Sequence, residues 1–141
     1  MLRRIKGFTL IELMIVIAII AILAMILVPN FLKARAQGQY SACQSNAKNI
    51  ATALEMYSTD NDGHYPVSGA TGTALLVSGN YIKTAMPKCP SAGTDTFSAQ
   101  YKSASNPDTY SFYCTGSSHK QVLGNTDGPY VSDGQVYRLK Q

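Results

Sequence analysis

Three cysteines and two histidines are the side chains of this sequence best suited to site chemistry: Cys43, Cys89, Cys114, His64 and His119. In an oxidising compartment, three cysteines fit one disulfide and one remaining thiol. Cys89, Cys114 and His119 could alternatively supply three ligands to zinc. A structural zinc site normally shows paired, closely spaced ligands, and the sequence has no such pairs. We therefore predict no metal site.

The positions of the cysteines favour one disulfide. Cys89 and Cys114 both fall in the part of the chain that reads as loops and strands. A bond between them would close a segment of 26 residues, which stabilises a fold by roughly 3.5 kcal/mol through chain entropy. Cys43 falls on the apolar stripe of a predicted helix, where a small apolar side chain is needed. We predict a Cys89–Cys114 disulfide and a Cys43 thiol packed in the core.

Catalytic motifs are missing from the sequence. Neither histidine has an acid patterned with it, and there is no phosphate-binding glycine loop, nucleophile elbow or helical histidine pair. The sequence therefore predicts a protein that is not an enzyme and that carries no cofactor.

The apolar residues are concentrated near the start of the chain. Between Phe8 and Val28 only Thr9 and Glu12 are polar. As a helix, this run would rise about 31 Å, close to the thickness of the hydrocarbon core of a bilayer. No second run after Asn30 is long enough to span, so we predict a single membrane crossing.

The formal charge of +4 comes mostly from the first residues. Arg3, Arg4 and Lys6 are three of the twelve basic residues, and without them nine remain against eight acidic residues. The rest of the chain has no basic cluster, so we predict no direct binding of nucleic acid. The basic residues before the apolar run are expected to hold the N-terminus in the cytoplasm.

The segment at residues 6–13, KGFTLIEL, carries most of the functional information. A short basic leader ends in glycine, and an apolar run with a single acid follows at once. This resembles the class III signal of type IV prepilins and pseudopilins. The resemblance implies that prepilin peptidase cuts between Gly7 and Phe8 and methylates the new amino group. Gly7 has no side chain, which lets a protease approach the backbone closely.

Two further residues gain a role from the same resemblance. An ionised Glu12 is costly within a membrane, and the resemblance implies that it pairs with the N-terminal amine of a neighbouring subunit. Pro29 would cost a helix interior about 3 kcal/mol. It either ends the helix at the membrane surface or, as the resemblance implies, kinks one long helix.

The helical pattern resumes after Pro29. Apolar residues recur at spacings of three and four: Tyr40, Cys43, Ala47, Ile50, Leu54 and Tyr57. We predict one helix from about residue 8 to residue 59, ended by the turn residues 60–63. Strands are predicted at 97–101 and 110–114, with a turn at 106–108, and a hairpin is predicted at 130–137 around Asp133-Gly134.

These patterns predict an α+β protein with the lollipop shape of pilins. Its parts are a cleaved basic leader (1–7), a transmembrane and assembly helix (8–28), an amphipathic helix packing on the head (29–59) and a small antiparallel-sheet head (60–141). The core is expected to contain Tyr40, Leu54, Phe97 and Phe112.

Calcium is the alternative to the absence of a cofactor. The acidic turn at residues 60–63 lacks the glutamate that would complete an EF-hand loop. Residues 53–66 resemble the helix end of the major pseudopilin of type II secretion, a family that binds calcium in a C-terminal loop. Asp127 and Asp133 are the acids that this chain offers there.

The function predicted is that of a structural subunit of an extracytoplasmic type IV pilus-like filament. Its expected partners are identical subunits, prepilin peptidase, the inner-membrane assembly machinery and, before assembly, membrane lipid. We expect an inner-membrane precursor and then a pilus or pseudopilus at the surface or in the periplasm.

Two alternatives remain. One is the major pseudopilin of a type II secretion system. The other is a monomeric binding module, secreted or anchored, whose signal peptide is cut after Ala34-Arg35-Ala36. The apolar run is longer than an ordinary signal peptide needs, and it contains Glu12.

Overall fold

The computed structural model describes residues 7–106, 108–115, 119–124 and 127–138. Its helices are α1 (Leu10–Asp60), α2 (Ala70–Ser78) and α3 (Lys120–Leu123), with a 3-10 turn at Ser98–Gln100. Its strands are β1 (Lys102–Ser105), β2 (Asp108–Tyr113), β3 (Tyr130–Ser132) and β4 (Gln135–Tyr137). The strands form one antiparallel sheet in the order β1-β2-β3-β4. The predicted α+β class, with one long N-terminal helix and a small antiparallel sheet, is confirmed.

The chain divides into two compact units, the N-terminal unit (residues 1–34) and the globular unit (residues 35–141). In the N-terminal unit, every described residue is exposed. Helix α1 is long and apolar enough to cross a membrane, with a mean hydropathy of 3.2 over its most apolar window. Pro29 lies inside α1. The helix therefore continues past the proline instead of ending there, while a kink at Pro29 stays a prediction.

The end of α1 follows the prediction closely. The helix ends at Asp60, and the N–H groups of Asn61 and Gly63 both donate to the carbonyl of Ser58, at 3.1 and 2.9 Å. Asp62 and Gly63 have φ values of 54° and 89°, the left-handed conformation that commonly terminates helices. The acidic turn thus serves as a helix stop.

The core of the globular unit lies between the amphipathic stripe of α1 and one face of the sheet. In β2, Tyr110 and Phe112 are buried while their neighbours are partly exposed, which is the alternation expected of a strand with one covered face. Phe112 lies opposite Val131 and packs edge-on against Phe97, with ring centroids 6.0 Å apart. All four predicted core residues are buried: Tyr40, Leu54, Phe97 and Phe112.

The hairpin formed by β3 and β4 is also confirmed. Asp133 and Gly134 have φ values of 46° and 78°, as a two-residue type I′ turn requires. The Asp133 carboxylate accepts a hydrogen bond from the Tyr110 N–H at 2.9 Å, and the Asp133 N–H donates to the Tyr110 carbonyl at 3.1 Å. The turn is therefore joined to the neighbouring strand β2.

The strand predicted at 97–101 is wrong. The Asp95 carboxylate accepts hydrogen bonds from the N–H groups of Phe97 and Ser98, at 2.9 and 3.1 Å. These bonds favour a turn of helix over an extended chain. The 3-10 turn therefore occupies this segment, and the strand begins only at Lys102.

Helix α2 was not predicted. It has nine residues, too few to give a clear helical period, and its sequence includes a glycine and two threonines. Gly72 allows this helix to approach the preceding segment, because a Cβ at residue 72 would lie 1.6 Å from the carbonyl oxygen of Val67. Leu76 and Thr73 then become buried.

Replacing Gly72 with alanine should destabilise the globular unit by about 1–3 kcal/mol, because the backbone at Val67 must move to admit the methyl group. Gly38→Ala is the matched control. A Cβ at Gly38 meets nothing within 4 Å, and alanine should stabilise that helical position by about 0.5–1 kcal/mol. Urea unfolding of the detergent-solubilised protein measures both. Equal stability of the two variants would contradict the role given to Gly72.

Candidate functional site

The predicted processing site lies just before α1. Gly7, Phe8 and Thr9 are outside any regular element, and the helix begins at Leu10. A Cβ at Gly7 would meet nothing within 4 Å, and 75% of the Phe8 side chain is exposed. Exposed irregular backbone is the form of chain that proteases cut most readily. The Gly7–Phe8 bond is thus exposed in the structure.

Glu12 is hydrogen-bonded to Thr9, the residue just before α1. The N–H and hydroxyl of Thr9 donate to its carboxylate at 2.9 and 2.8 Å, and the Glu12 N–H meets the Thr9 hydroxyl oxygen at 3.3 Å. This reciprocal arrangement is a capping box, which satisfies donors at the start of a helix. This capping box was not predicted, although Thr9-Leu10-Ile11-Glu12 has its spacing.

A second site lies in the globular unit, where the structure brings four side chains together. The sulfur atoms of Cys43, Cys89 and Cys114 and a ring nitrogen of His119 all lie within 4.8 Å of one another. His119 Nε2 is 3.4 Å from both Cys89 Sγ and Cys114 Sγ, and Cys43 Sγ is 4.0 Å from Cys89 Sγ. All four residues are buried. We call them the cysteine–histidine cluster.

The cluster is assembled from four places in the fold. Cys43 lies on the buried stripe of α1, Cys89 in the segment after α2, Cys114 directly after β2, and His119 directly before α3. Hydrogen bonds within a local turn hold the loop residue Cys89 in position. The Cys89 N–H donates to the Thr94 carbonyl at 2.9 Å.

The remaining cluster positions are held by neighbouring loops and by α1. The Cys114 N–H donates to the Pro129 carbonyl at 3.1 Å. The Tyr40 ring packs edge-on against His119, with centroids 5.4 Å apart. The Asn46 amide donates to the Lys88 carbonyl at 2.9 Å and holds the loop against α1. Each of these contacts holds a segment that carries one member of the cysteine–histidine cluster beside the other segments.

The close approach of these groups changes their acidity. Hydrogen bonds with Cys114 and Cys43 lower the pKa of the Cys89 thiol, and hydrogen bonds with Cys114 and Cys89 raise the pKa of the Cys43 thiol. Hydrogen bonds with Cys114 and Cys89 raise the pKa of His119 to about 9, against the effect of burial. The Cys89 thiol therefore gives up its proton more readily than the Cys43 thiol.

The cluster changes the interpretation of the cysteines. No disulfide joins Cys43, Cys89 and Cys114 in the structure, and the Cys89–Cys114 bond stays a prediction. Cys43, assigned to core packing alone, has a sulfur neighbour. His119 was considered for zinc and set aside. The cluster is hard to recognise in the sequence because Cys43 and Cys89 are 46 residues apart in the chain. Of its members, only Cys114 and His119 are closely spaced.

The acids considered for calcium are not grouped in this way. Among residues 7–106, 108–115, 119–124 and 127–138, the cysteine–histidine cluster is the group of three or more candidate ligands close enough to share a metal ion. Asp133 instead accepts hydrogen bonds from Tyr110 and Ser132 at its turn. Calcium binding stays an untested alternative.

Comparison with known proteins identifies the family. The prokaryotic N-terminal methylation motif matches residues 2–28. The ComG operon protein 3 homolog of Bacillus licheniformis is 36% identical over 85 residues, which are 60% of this chain and 81% of that protein. No solved structure matches the chain. The chain belongs to the type IV pilin and pseudopilin family.

Two other relatives match over shorter segments. The type IV major pilin protein PilA of Myxococcus xanthus is 44% identical over 69 residues, 49% of this chain and 31% of the pilin. The type II secretion system core protein G of Pseudomonas aeruginosa is 42% identical over 59 residues, 42% of each chain. The matches thus span less than half of the length of either relative.

Proposed function

We propose that this chain is a structural subunit of a type IV pilus-like filament outside the cytoplasm. The observation that carries the proposal is the N-terminal segment, which joins an accessible Gly7–Phe8 bond to a fully exposed apolar helix with one acid. Every described residue of the N-terminal unit is exposed. Membrane lipid would cover it before assembly, and the helices of identical subunits would cover it afterwards.

Cleavage after Gly7 would prepare the helix for assembly. The new amino group on Phe8 would lie four residues before Glu12, on the same helix face. In a filament, the carboxylate of one subunit could then meet the amine of its neighbour. Apolar packing would give cohesion, while the charge pair would set the axial register, because misplaced subunits would leave both charges unpaired.

The proposal includes the partners and location expected from the sequence. Prepilin peptidase would act on the precursor, and assembly machinery in the inner membrane would extract the processed subunit. The precursor would cross the membrane once, with its N-terminus in the cytoplasm. The protein would have no catalytic role, since its relatives are named as pilus components and as a core protein of a secretion system.

A pseudopilin of type II secretion is a second candidate, favoured by the similarity to the core protein G of Pseudomonas aeruginosa. The two roles differ in phenotype. Loss of a pilin removes surface fibres, whereas loss of a pseudopilin stops export of secreted enzymes and leaves other fibres intact. Deleting this gene and measuring both separates the roles.

The proposed processing can be tested at its first step. Gly7→Val should leave full-length precursor in the inner membrane, because the new side chain obstructs access of the peptidase to the backbone. Gly38→Val is the matched control, since Gly38 also has open space around it. Mass spectrometry of the mature chain should find an N-terminus at Phe8, with a methyl group, in the wild type and in the control.

Two results would contradict this proposal. Normal processing of Gly7→Val would exclude the cleavage site. A mature wild-type N-terminus at Gln37 would instead indicate an ordinary signal peptide and support the monomeric binding module.

A further inference from the structure

We propose that Cys43, Cys89, Cys114 and His119 bind one zinc ion as a structural site within the globular unit. This inference goes beyond filament assembly and replaces the prediction that the cysteines bind no metal.

The distances match a tetrahedral site. With Zn–S bonds of about 2.3 Å and a Zn–N bond of about 2.0–2.1 Å, tetrahedral geometry places two sulfurs about 3.8 Å apart, and a sulfur and a nitrogen about 3.6 Å apart. The cluster has 4.0 Å between Cys43 Sγ and Cys89 Sγ, and 3.4 Å from His119 Nε2 to each of Cys89 Sγ and Cys114 Sγ. The other pairs of donor atoms lie within 4.8 Å of each other, so an ion at the centre needs shifts of up to about 1 Å.

The types of donor atom in the cluster favour zinc over calcium and magnesium. Calcium and magnesium prefer oxygen ligands, whereas three thiolates and one imidazole are a known ligand set of structural zinc. The exposed fraction is 0% for the three cysteines and 1% for His119. The described residues leave no side of the site open to a water molecule or a substrate, so the ion would have a structural role.

Neighbouring hydroxyls suit bound thiolates. The Ser91 hydroxyl lies 3.1 Å from Cys89 Sγ, and the Thr96 hydroxyl lies 2.9 Å from Cys114 Sγ. A metal-bound sulfur carries no proton, so both hydroxyls would donate to it. Such outer contacts orient ligands and stabilise their charge.

A zinc ion also accounts for all four side chains at once. A Cys89–Cys114 disulfide would leave the Cys43 thiol and the His119 ring in the same buried space without a shared function. Zinc would join α1, the loop after α2, the end of β2 and the segment before α3. In an oxidising compartment it would also protect the thiolates, and its binding free energy would contribute to folding.

The deciding experiment uses the wild-type, full-length protein, solubilised in detergent and purified without chelator from zinc-supplemented cells. Elemental analysis should find one zinc per chain, and alkylation after denaturation in chelator should modify three cysteines. Exchange of zinc for cobalt should give the intense visible bands of a tetrahedral, thiolate-bound ion. A disulfide with no zinc, three thiols with no zinc, or an octahedral cobalt spectrum would overturn the proposal.

Variants test the ligands. Cys43→Ser and His119→Ala should each lose the bound zinc or the tetrahedral cobalt spectrum. His64→Ala is the matched control, because His64 is exposed and lies beside Asp108, outside the cluster. Full zinc retention by His119→Ala, or zinc loss by His64→Ala, would contradict the assignment. A ligand variant that fails to fold in metal-free medium leaves the wild-type measurements as the test.

Discussion

Glu12→Val should be inserted and cleaved after Gly7 like the wild type, yet form almost no fibres. If Glu12 pairs with the amine of a neighbouring subunit, as proposed, the variant leaves that amine without its partner in an apolar environment. Breaking a buried ion pair typically costs about 3–5 kcal/mol, which corresponds to more than a hundredfold loss in each association constant. Electron microscopy of sheared surface material counts the fibres, and an immunoblot of the membrane fraction confirms that the subunit is present.

The capping box gives Glu12 a second role, which is to stabilise the start of α1. A conservative variant separates this role from the proposed pairing with a neighbouring subunit. Glutamine at residue 12 preserves the capping hydrogen bonds but removes the charge. If the charge sets register, Glu12→Gln should lose fibres almost as fully as Glu12→Val. If the residue acts only as a cap, Glu12→Gln should assemble normally, and this result would refute the register role.

Thr9→Val is the complementary control. It removes the hydroxyl that bonds Glu12 and leaves the carboxylate free to meet another subunit. We expect it to retain most fibres, since loss of a cap costs about 0.5–2 kcal/mol. Disappearance of the subunit from the membrane fraction, in any of the three variants, would indicate a folding or insertion defect.

Phe112→Ala should destabilise the globular unit by about 3–5 kcal/mol. Only 1% of Phe112 is exposed, and its ring contacts Phe97 edge-on and stacks on Tyr110 with centroids 6.2 Å apart. Truncation would leave a cavity at the centre of the core. Denaturant unfolding followed by near-ultraviolet circular dichroism should show an earlier transition.

Phe31→Ala is the matched control for this truncation. It makes the same chemical change at a side chain that is 68% exposed. We expect it to leave the unfolding of the globular unit unchanged. If Phe112→Ala unfolds within about 1 kcal/mol of this control, the aromatic core is less important than its burial implies.

Long helices and tight turns were predictable because their signals are local. The stripe from Tyr40 to Tyr57 repeats over five helical turns, so α1 is clear from spacing alone. Asp133-Gly134 is the residue pair that a two-residue hairpin turn needs. By contrast, the strand at 97–101 was mispredicted because the Asp95 side chain competes with the strand, and α2 was missed because it is short.

The cysteine–histidine cluster depended on tertiary structure. Cys43 reads as a core position because it lies on the apolar stripe, and the spacing of the stripe gives no sign of another ligand. Cys89 reaches it only once the loop after α2 has turned back on α1, 46 residues later in the chain. A ligand set gathered from four segments leaves no short motif, so zinc was not predictable from the sequence.

The connection of α1 to its neighbouring loop also has a mechanical consequence. Cys43 and Asn46 are one helical turn apart, and both meet the segment at Lys88 and Cys89. A force that pulls α1 along its axis would act on these two contacts at the same time and in shear. Both contacts would then have to break together before the helix could slide. In the proposed filament, tension along α1 would thus be resisted within the globular unit at this turn of the helix, together with the packing of Tyr40 on His119 one turn earlier.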